Sequence, residues 1–318
     1  MDQSIREEIR TQVERAVDRK FEEFRNTWLQ GRHSYADFSQ TFGTTARRES
    51  TLADSSVHGR TERGELLMQT KEQVYEYAQH LERYAIYLPD PDSTHEDTPV
   101  FAHLSDNVGD ALIRWLEMPG SRFLWVDDLP TDPQNGVLTT MSMQICSNAF
   151  AAGLPVVLFF RRSHYSFQPQ LYISAEHAGM LALLYSLILQ FINLLPSSFQ
   201  PKPALSEETF RRLDGSIANF EPALQILDSL LDHAPLALIC VIDGLEELET
   251  PVTVDAIGQL VNTLRKQSEG RRFKVLFTTT GKSYVLSREL PSREQVPANR
   301  TPRVAGGPSP RGTGGFAD

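Results

Sequence analysis

Cysteine is scarce in this chain of 318 residues: only Cys146 and Cys240 are present, and each stands among apolar residues. Two such cysteines do not imply a framework of disulfides. The N-terminus also lacks the apolar core that follows a basic start in a secretory signal. We therefore expect a reducing intracellular compartment and a cytoplasmic location.

Basic residues are also few: the chain has 31 Lys and Arg residues and 41 Asp and Glu residues, which gives a net charge of −10. A general nucleic-acid binder needs a basic surface to neutralise phosphates, so we expect no nucleic-acid partner. Three catalytic or metal motifs are missing as well: His-Glu-x-x-His, Cys-x-x-Cys and Gly-x-Ser-x-Gly. The eight histidines are scattered along the chain, which argues against a histidine metal site.

Long apolar runs are limited to one segment, residues 178–195, which contains no charged residue and is about as long as a bilayer-spanning helix. No cluster of Lys or Arg flanks the segment. Its polar residues are Tyr185, Ser186, Gln190 and Asn193. A core helix packed on a sheet explains this composition, and we expect no membrane partner.

Residues 1–90 read as a helical N-terminal region. Its first helix, 4–30, is amphipathic, with a capping-box spacing at Ser4 and Glu7. Polar residues without periodicity predict a mobile loop at 31–62, followed by a second helix at about 63–87 and a linker at 91–104. The apolar stripe of the first helix consists of Ile5, Ile9, Val13, Val17, Phe21, Phe24 and Trp28. This stripe either packs on the chain's own domain or binds a protein partner, including a second copy in an oligomer.

Residues 105–290 alternate helical segments with short apolar runs, which predicts a three-layer α/β domain with a parallel sheet of about four strands. The predicted strands are 122–126, 155–160, 238–243 and 273–278. The remaining stretch, 291–318, is rich in Pro, Gly and Arg and is predicted to be a disordered tail.

The third predicted strand runs directly into acids: Leu238-Ile-Cys-Val-Ile-Asp243-Gly-Leu-Glu246-Glu247-Leu248. This pattern resembles the Walker B segment of P-loop NTPases, in the NACHT-like form of the STAND signalling class. The resemblance implies that Asp243 binds Mg²⁺ and that Glu246 or Glu247 polarises the attacking water. It also implies ATP or GTP with Mg²⁺ as the cofactor. The alternative is an ordinary buried strand that ends in an acidic turn.

The phosphate loop that this resemblance requires, Gly-x-x-x-x-Gly-Lys-Ser/Thr, is degenerate. Leu124-Trp125-Val126 matches the preceding strand, but counting onward puts Asp128 and Pro133 at the glycines and Asn135 at the hydroxyl residue. Anchoring on Gly136 instead puts Val137 and Leu138 at the last two positions. No lysine occurs between residues 71 and 202, so no alignment recovers one. Weak candidates for cofactor contacts are Thr131, Asn135, Gly136, Thr279 and Thr280.

The acids around the predicted site, Asp127, Asp128, Asp243 and Glu247, are expected to repel one another if no cation is bound. Removing the charge of Asp243 should then change stability little. Together these features favour a non-catalytic signalling or scaffold module, closer to a pseudo-NTPase than to an active enzyme. The alternative is a nucleotide-binding STAND protein with weak or unconventional hydrolysis.

Overall fold

The computed structural model describes residues 3–30, 68–84, 104–128, 136–161, 174–266 and 271–298. The loop predicted at 31–62, most of the linker predicted at 91–104 and the last part of the predicted tail, 299–318, lie outside these residues.

The described residues form helices and short strands in alternation after residue 104. The helices are α1 Gln3–Gln30, α2 Lys71–Ala78, α3 Asp106–Glu117, α4 Val137–Ala151, α5 Ala175–Asn193, α6 Glu207–Arg211, α7 Phe220–Leu231, α8 Val254–Lys266 and α9 Tyr284–Glu289. The strands are β1 Gln69–Thr70, β2 Arg122–Asp128, β3 Val156–Phe160, β4 Ser198–Phe199, β5 Ala237–Asp243, β6 Arg272–Thr280 and β7 Gln295–Pro297. A 3₁₀ turn, Gln79–Tyr84, continues α2, and another, Leu245–Leu248, follows β5.

Five strands form one parallel sheet in the order β3-β5-β6-β2-β7. The prediction of about four strands is therefore wrong by one, because β7 lies inside the stretch predicted to be a disordered tail. Three residues are too few to show a strand period in sequence. They are ordered by pairing with the edge of β2, and the N–H of Ala298 donates to the carbonyl of Asp127 at 2.7 Å.

Helices cover both faces of the sheet, as expected for a parallel sheet whose strands are apolar on both sides. Phe123 and Trp125 of β2 face a core shared with α2, α5, α7, α8 and α9. Leu124 and Val126 of the same strand face a second core, shared with α1, α3 and α4. The chain is thus a three-layer α/β structure.

The two N-terminal helices lie in different layers, so α1 does not form a bundle with α2. The C-terminal half of α1 buries Phe21, Phe24 and Trp28 in the core with α3 and α4. Val13 lies in the N-terminal half of α1, and 36% of its surface is exposed. Part of the apolar stripe of α1 is therefore buried within the chain itself.

Helix α5 is the one described helix that is long and apolar enough to cross a bilayer, and 78% of its most apolar window is buried inside the structure. It packs against α7 and β3, where its buried residues face the first core. Within the structure it is a core helix.

Candidate functional site at the carboxyl edge of the sheet

The carboxyl ends of β2, β5 and β6 bring the predicted site residues to one edge of the sheet. Asp243 ends β5 and lies opposite Thr278 of β6, while Asp128 of β2 lies opposite Thr280. After β2 the chain enters α4 in one layer, whereas α8 and α9 occupy the other layer. In α/β proteins, strand ends where the chain changes side in this way are where ligands bind.

Asp243 is buried, with 4% of its surface exposed, and both of its carboxylate oxygens accept hydrogen bonds from threonines. Thr278 Oγ1 donates to Oδ1 at 2.5 Å, and Thr139 Oγ1 donates to Oδ2 at 2.9 Å. The expectation that Asp243 is unpaired is therefore wrong. Repulsion among the acids is present, since Asp243 contributes to the raised pKa of Glu246. The charge of Asp243 is compensated by hydroxyls from α4 and β6.

Thr139 lies on the side of α4 that faces Asp243. The sequence did not predict this contact. Both sequence alignments were anchored on the strand or on Gly136, and neither placed a hydroxyl at position 139. The signal that could have found it is the pair Thr139-Thr140, a hydroxyl pair at the start of a helix. If Thr139 takes the hydroxyl position of the motif, the preceding Leu138 takes the lysine position, and Leu138 is buried.

Gly244 makes the turn after Asp243, and the backbone conformation at this position favours glycine. Its φ of +79° is a left-handed conformation that favours glycine. A Cβ at this position would lie 2.6 Å from Cβ of Arg161, which follows β3. The Arg161 Nε lies 4.0 Å from an oxygen of Glu247, whose side chain is 39% exposed. Arg161 therefore faces an acid of this edge.

Glu246 is half-buried behind the same turn. Its Oε1 accepts a hydrogen bond from the backbone N–H of Thr280 at 2.6 Å, and its buried Oε2 has no hydrogen-bond partner among the described residues. Burial, with Asp243 and Glu247 nearby, raises the pKa of this carboxyl to about 7. Glu246, one of the two glutamates predicted to be catalytic, thus has a raised pKa.

The structure describes three of the five weak candidates for cofactor contacts: Gly136, Thr279 and Thr280. Thr279 is buried, and its hydroxyl accepts from the indole N–H of Trp125 at 2.8 Å and donates to the carbonyl of Gly281. Gly136 precedes α4, where its carbonyl accepts from Thr140. Thr280 contributes its backbone N–H to Glu246. The other two candidates, Thr131 and Asn135, lie outside the described residues.

The described residues offer few ligands for a divalent cation with its phosphates. Thr139 and Asp243 are suitable oxygen ligands, and their mutual hydrogen bond of 2.9 Å leaves lone pairs on both. Among the described side chains, no group of three or more His, Cys, Asp or Glu is arranged to hold a metal. Burial also raises the pKa of Asp127, against the opposing attraction of Lys282. A triphosphate needs positive groups at its site, and if Thr139 is aligned with the hydroxyl of the motif, Leu138 stands at the position of its lysine.

Comparisons with known proteins add no assignment. No protein-family model matches the chain. No curated protein matches it either.

Proposed function

We propose that this chain is a non-catalytic signalling or scaffold module built on a P-loop NTPase-like domain of the NACHT-like STAND class. The observation that carries the proposal is the missing lysine of the phosphate-loop motif. No lysine occurs between residues 71 and 202, so every alignment of the stretch after β2 lacks it. If Thr139 takes the hydroxyl position of the motif, Leu138 takes the position of the lysine.

The five-stranded parallel sheet supports the P-loop-like part of the proposal. A domain of this class carries a strand after the fourth one, and β7 occupies that place. The acid after β5 and the helix after β2 also meet at the same edge, as a phosphate loop and a Walker B acid would.

The proposed lack of catalysis follows from electrostatics. Phosphoryl transfer relies on preorganised positive groups at the transferring phosphate. The part of the sequence from residue 72 to 201 contains no lysine, so the lysine of the phosphate-loop motif is missing. The described edge also carries Arg161 and Lys282, but Arg161 faces Glu247 and Lys282 lies near Asp127. Hydrolysis would therefore lack the positive group that the motif places at the transferring phosphate.

The test is the nucleotide content of the purified full chain, read by denaturing the protein and analysing the supernatant, together with ATP and GTP hydrolysis in Mg²⁺. We expect neither a stoichiometric nucleotide nor turnover above the buffer rate. Turnover of about 1 s⁻¹ or more, in the range of ordinary enzymes, that Glu246→Gln or Glu247→Gln abolishes would contradict the proposal.

A second candidate function is nucleotide binding with weak hydrolysis, and Glu246 is the observation that favours it. A half-buried carboxyl with a pKa of about 7, and with one oxygen that no described residue hydrogen-bonds, has the properties of a general base. Bound nucleotide with slow turnover that Glu246→Gln abolishes would select this candidate over the first.

A further inference from the structure

A lysine is buried near the amino end of β6, toward the opposite edge of the sheet from Asp243. Lys274 has 0% of its surface exposed. It lies two residues before Leu276 and therefore on the same face of the strand, toward the core shared with α1, α3 and α4. A buried ammonium is costly unless an acid pairs with it, so the partners of this amine decide which form it takes.

Two carbonyl oxygens at the end of α3 accept hydrogen bonds from Lys274. Its Nζ donates to the carbonyls of Trp115 and Met118, at 2.6 Å each. Trp115 belongs to the last turn of α3, and Met118 is its C-cap. A neutral amine has two hydrogens and an ammonium has three. The two carbonyls therefore match the neutral amine, and the third hydrogen of an ammonium finds no acceptor among the described residues.

Two arginines share this face of the sheet with Lys274. Arg122 of β2 is its partner in the strand register, and Arg272 precedes it by two residues on β6. Because alternate residues of a strand lie on one face, the three basic residues are neighbours under α1 and α3. A charged Lys274 would be repelled by both arginines.

The covering helices contribute two acids here, and both are paired with arginines. Asp18 of α1 pairs with Arg272 at 2.5 Å, and Glu117 of α3 pairs with Arg25 of α1 at 3.1 Å. Helix α4 contains no charged residue. The other charged residues of these parts of α1 and α3 are Arg19, Lys20, Glu22, Glu23 and Arg114. Among the described residues, no acid forms an ion pair with Lys274.

We propose that Lys274 is a proton-sensitive support for the layer of α1 and α3, in which the neutral amine holds the end of α3 and uptake of a proton weakens that support. Burial, with Arg272 and Arg122 nearby, lowers the pKa of Lys274 from 10.5 to about 7, in agreement with the two acceptors. Helix α1 packs against α3, so the effect extends to α1. The proposal is independent of the proposed non-catalytic function, because Lys274 does not belong to the candidate site.

The direction of the pH dependence follows from this lowered pKa. Between pH 7 and 10.5 the unfolded chain binds a proton at Lys274 that the folded chain does not, so stability rises with pH across this window. The contribution of Lys274 is complete above pH 10.5 and is lost as the pH falls through about 7. The ratio of folded to unfolded protein changes by up to about tenfold for each pH unit.

The experiment is urea unfolding of the full chain at pH 6, 7, 8 and 9, for wild type and Lys274→Met. Methionine keeps an unbranched apolar side chain and cannot take up a proton. From pH 7 to pH 9 the unfolding constant of the wild type should fall about 50-fold relative to that of the variant. Groups that titrate in both proteins cancel in this comparison.

Lys266→Met is the matched control, because the Lys266 side chain is 69% exposed and its replacement should change folding stability little. Lys274→Gln is a second variant, which keeps two N–H donors without a charge and serves if Lys274→Met does not fold. Its comparison with wild type should show the same 50-fold change. Parallel profiles for wild type and the Lys274 variants, or a wild type that gains stability over them as the pH falls, would overturn the proposal.

Hydrogen exchange of the wild type tests the support without any substitution. Protection factors, corrected for the intrinsic exchange rate at each pH, should fall from pH 8.5 to pH 6.5 in the last turn of α3. The amides of α7, which packs in the other core, should change less. An equal change in α3 and α7 would contradict a support located at the end of α3.

Discussion

At the scale of single residues, the sequence predicts the position of Asp243 but not its hydrogen-bond partners. Asp243 stands out because it follows five apolar residues, and a strand buried on both faces delivers such a residue to the sheet edge. Thr139 and Thr278 lie 104 and 35 residues away along the chain. Only the crossover through α4 and the pairing of β5 with β6 bring them to the carboxylate, and neither leaves a local pattern in sequence.

Glu246 leads to a prediction about pH. Its pKa rises from the ordinary 4.5 to about 7 on folding, so the folded protein holds a proton that the unfolded chain releases between these values. The stabilising contribution of this proton is complete below pH 4.5 and is lost as the pH rises through 7. Glu246→Gln cannot ionise and keeps an oxygen for the N–H of Thr280. It should therefore be more stable than wild type at pH 8, by about 1–3 kcal/mol.

Urea unfolding at pH 4.5, 6 and 8 measures this difference. The two proteins should be closest in stability at pH 4.5 and diverge toward pH 8. Glu247→Gln serves as the control, because the Glu247 side chain is 39% exposed and its replacement should change folding stability little. Parallel curves for wild type and Glu246→Gln over the whole range would show that Glu246 does not carry this proton.

At the scale of elements, apolar runs predicted the four longer strands, with ends shifted by a few residues. Helix α2 was placed less well, since the predicted helix 63–87 covers Gln69–Thr70, which form β1. The helix begins at Lys71 because Thr70 and Gln73 form a capping box. The short strand β1 depends on pairing with β4, more than a hundred residues away, and such pairing has no local signal.

Strand β3 is at the edge of the sheet, and Gln190 of α5 completes its hydrogen bonds. The Gln190 side chain donates to the carbonyl of Leu158 at 2.8 Å and accepts from the N–H of the same residue at 2.9 Å. It thus takes the place of a neighbouring strand, and an uncovered edge invites pairing between chains. We expect Gln190→Leu to lower stability by about 1–3 kcal/mol and to promote association that grows with protein concentration.

Thermal melting and light scattering over a range of concentrations test this expectation. Gln225→Leu provides the comparison, since Gln225 is exposed on α7 and contacts Glu221 one turn away. Association that is equal in the two variants would mean that surface apolarity, and not the opened edge of β3, causes it.

At the scale of the whole molecule, the alternation of strands and helices was enough to predict a parallel sheet between two helical layers. It was not enough to predict which layer each N-terminal helix joins. An amphipathic stripe shows that a helix face is buried but does not name the surface that buries it. Here Phe24 and Trp28 enter the core of α3 and α4, while α2 contacts α5 on the opposite side of the sheet.

This division of α1 changes how its proposed role in protein association has to be tested. Charges placed at Phe21 and Phe24 would unfold the chain's own core, since both are buried, so they cannot report on a partner. Val13 lies on the same stripe and is 36% exposed. Phe24→Glu should cost about 3–5 kcal/mol, whereas Val13→Glu should stay within about 0.5 kcal/mol of wild type.

Size-exclusion chromatography with light scattering, run beside thermal melting, separates the two possibilities for α1. If the first half of the helix binds a second copy, Val13→Glu should shift an oligomer to monomer while the melting temperature of the α/β core stays near that of wild type. Thr11→Glu is the matched control, because Thr11 is exposed and lies two positions from Val13, on the opposite face of the helix. A wild type that is already monomeric, and that only Phe24→Glu disturbs, would limit α1 to a structural role in its own layer.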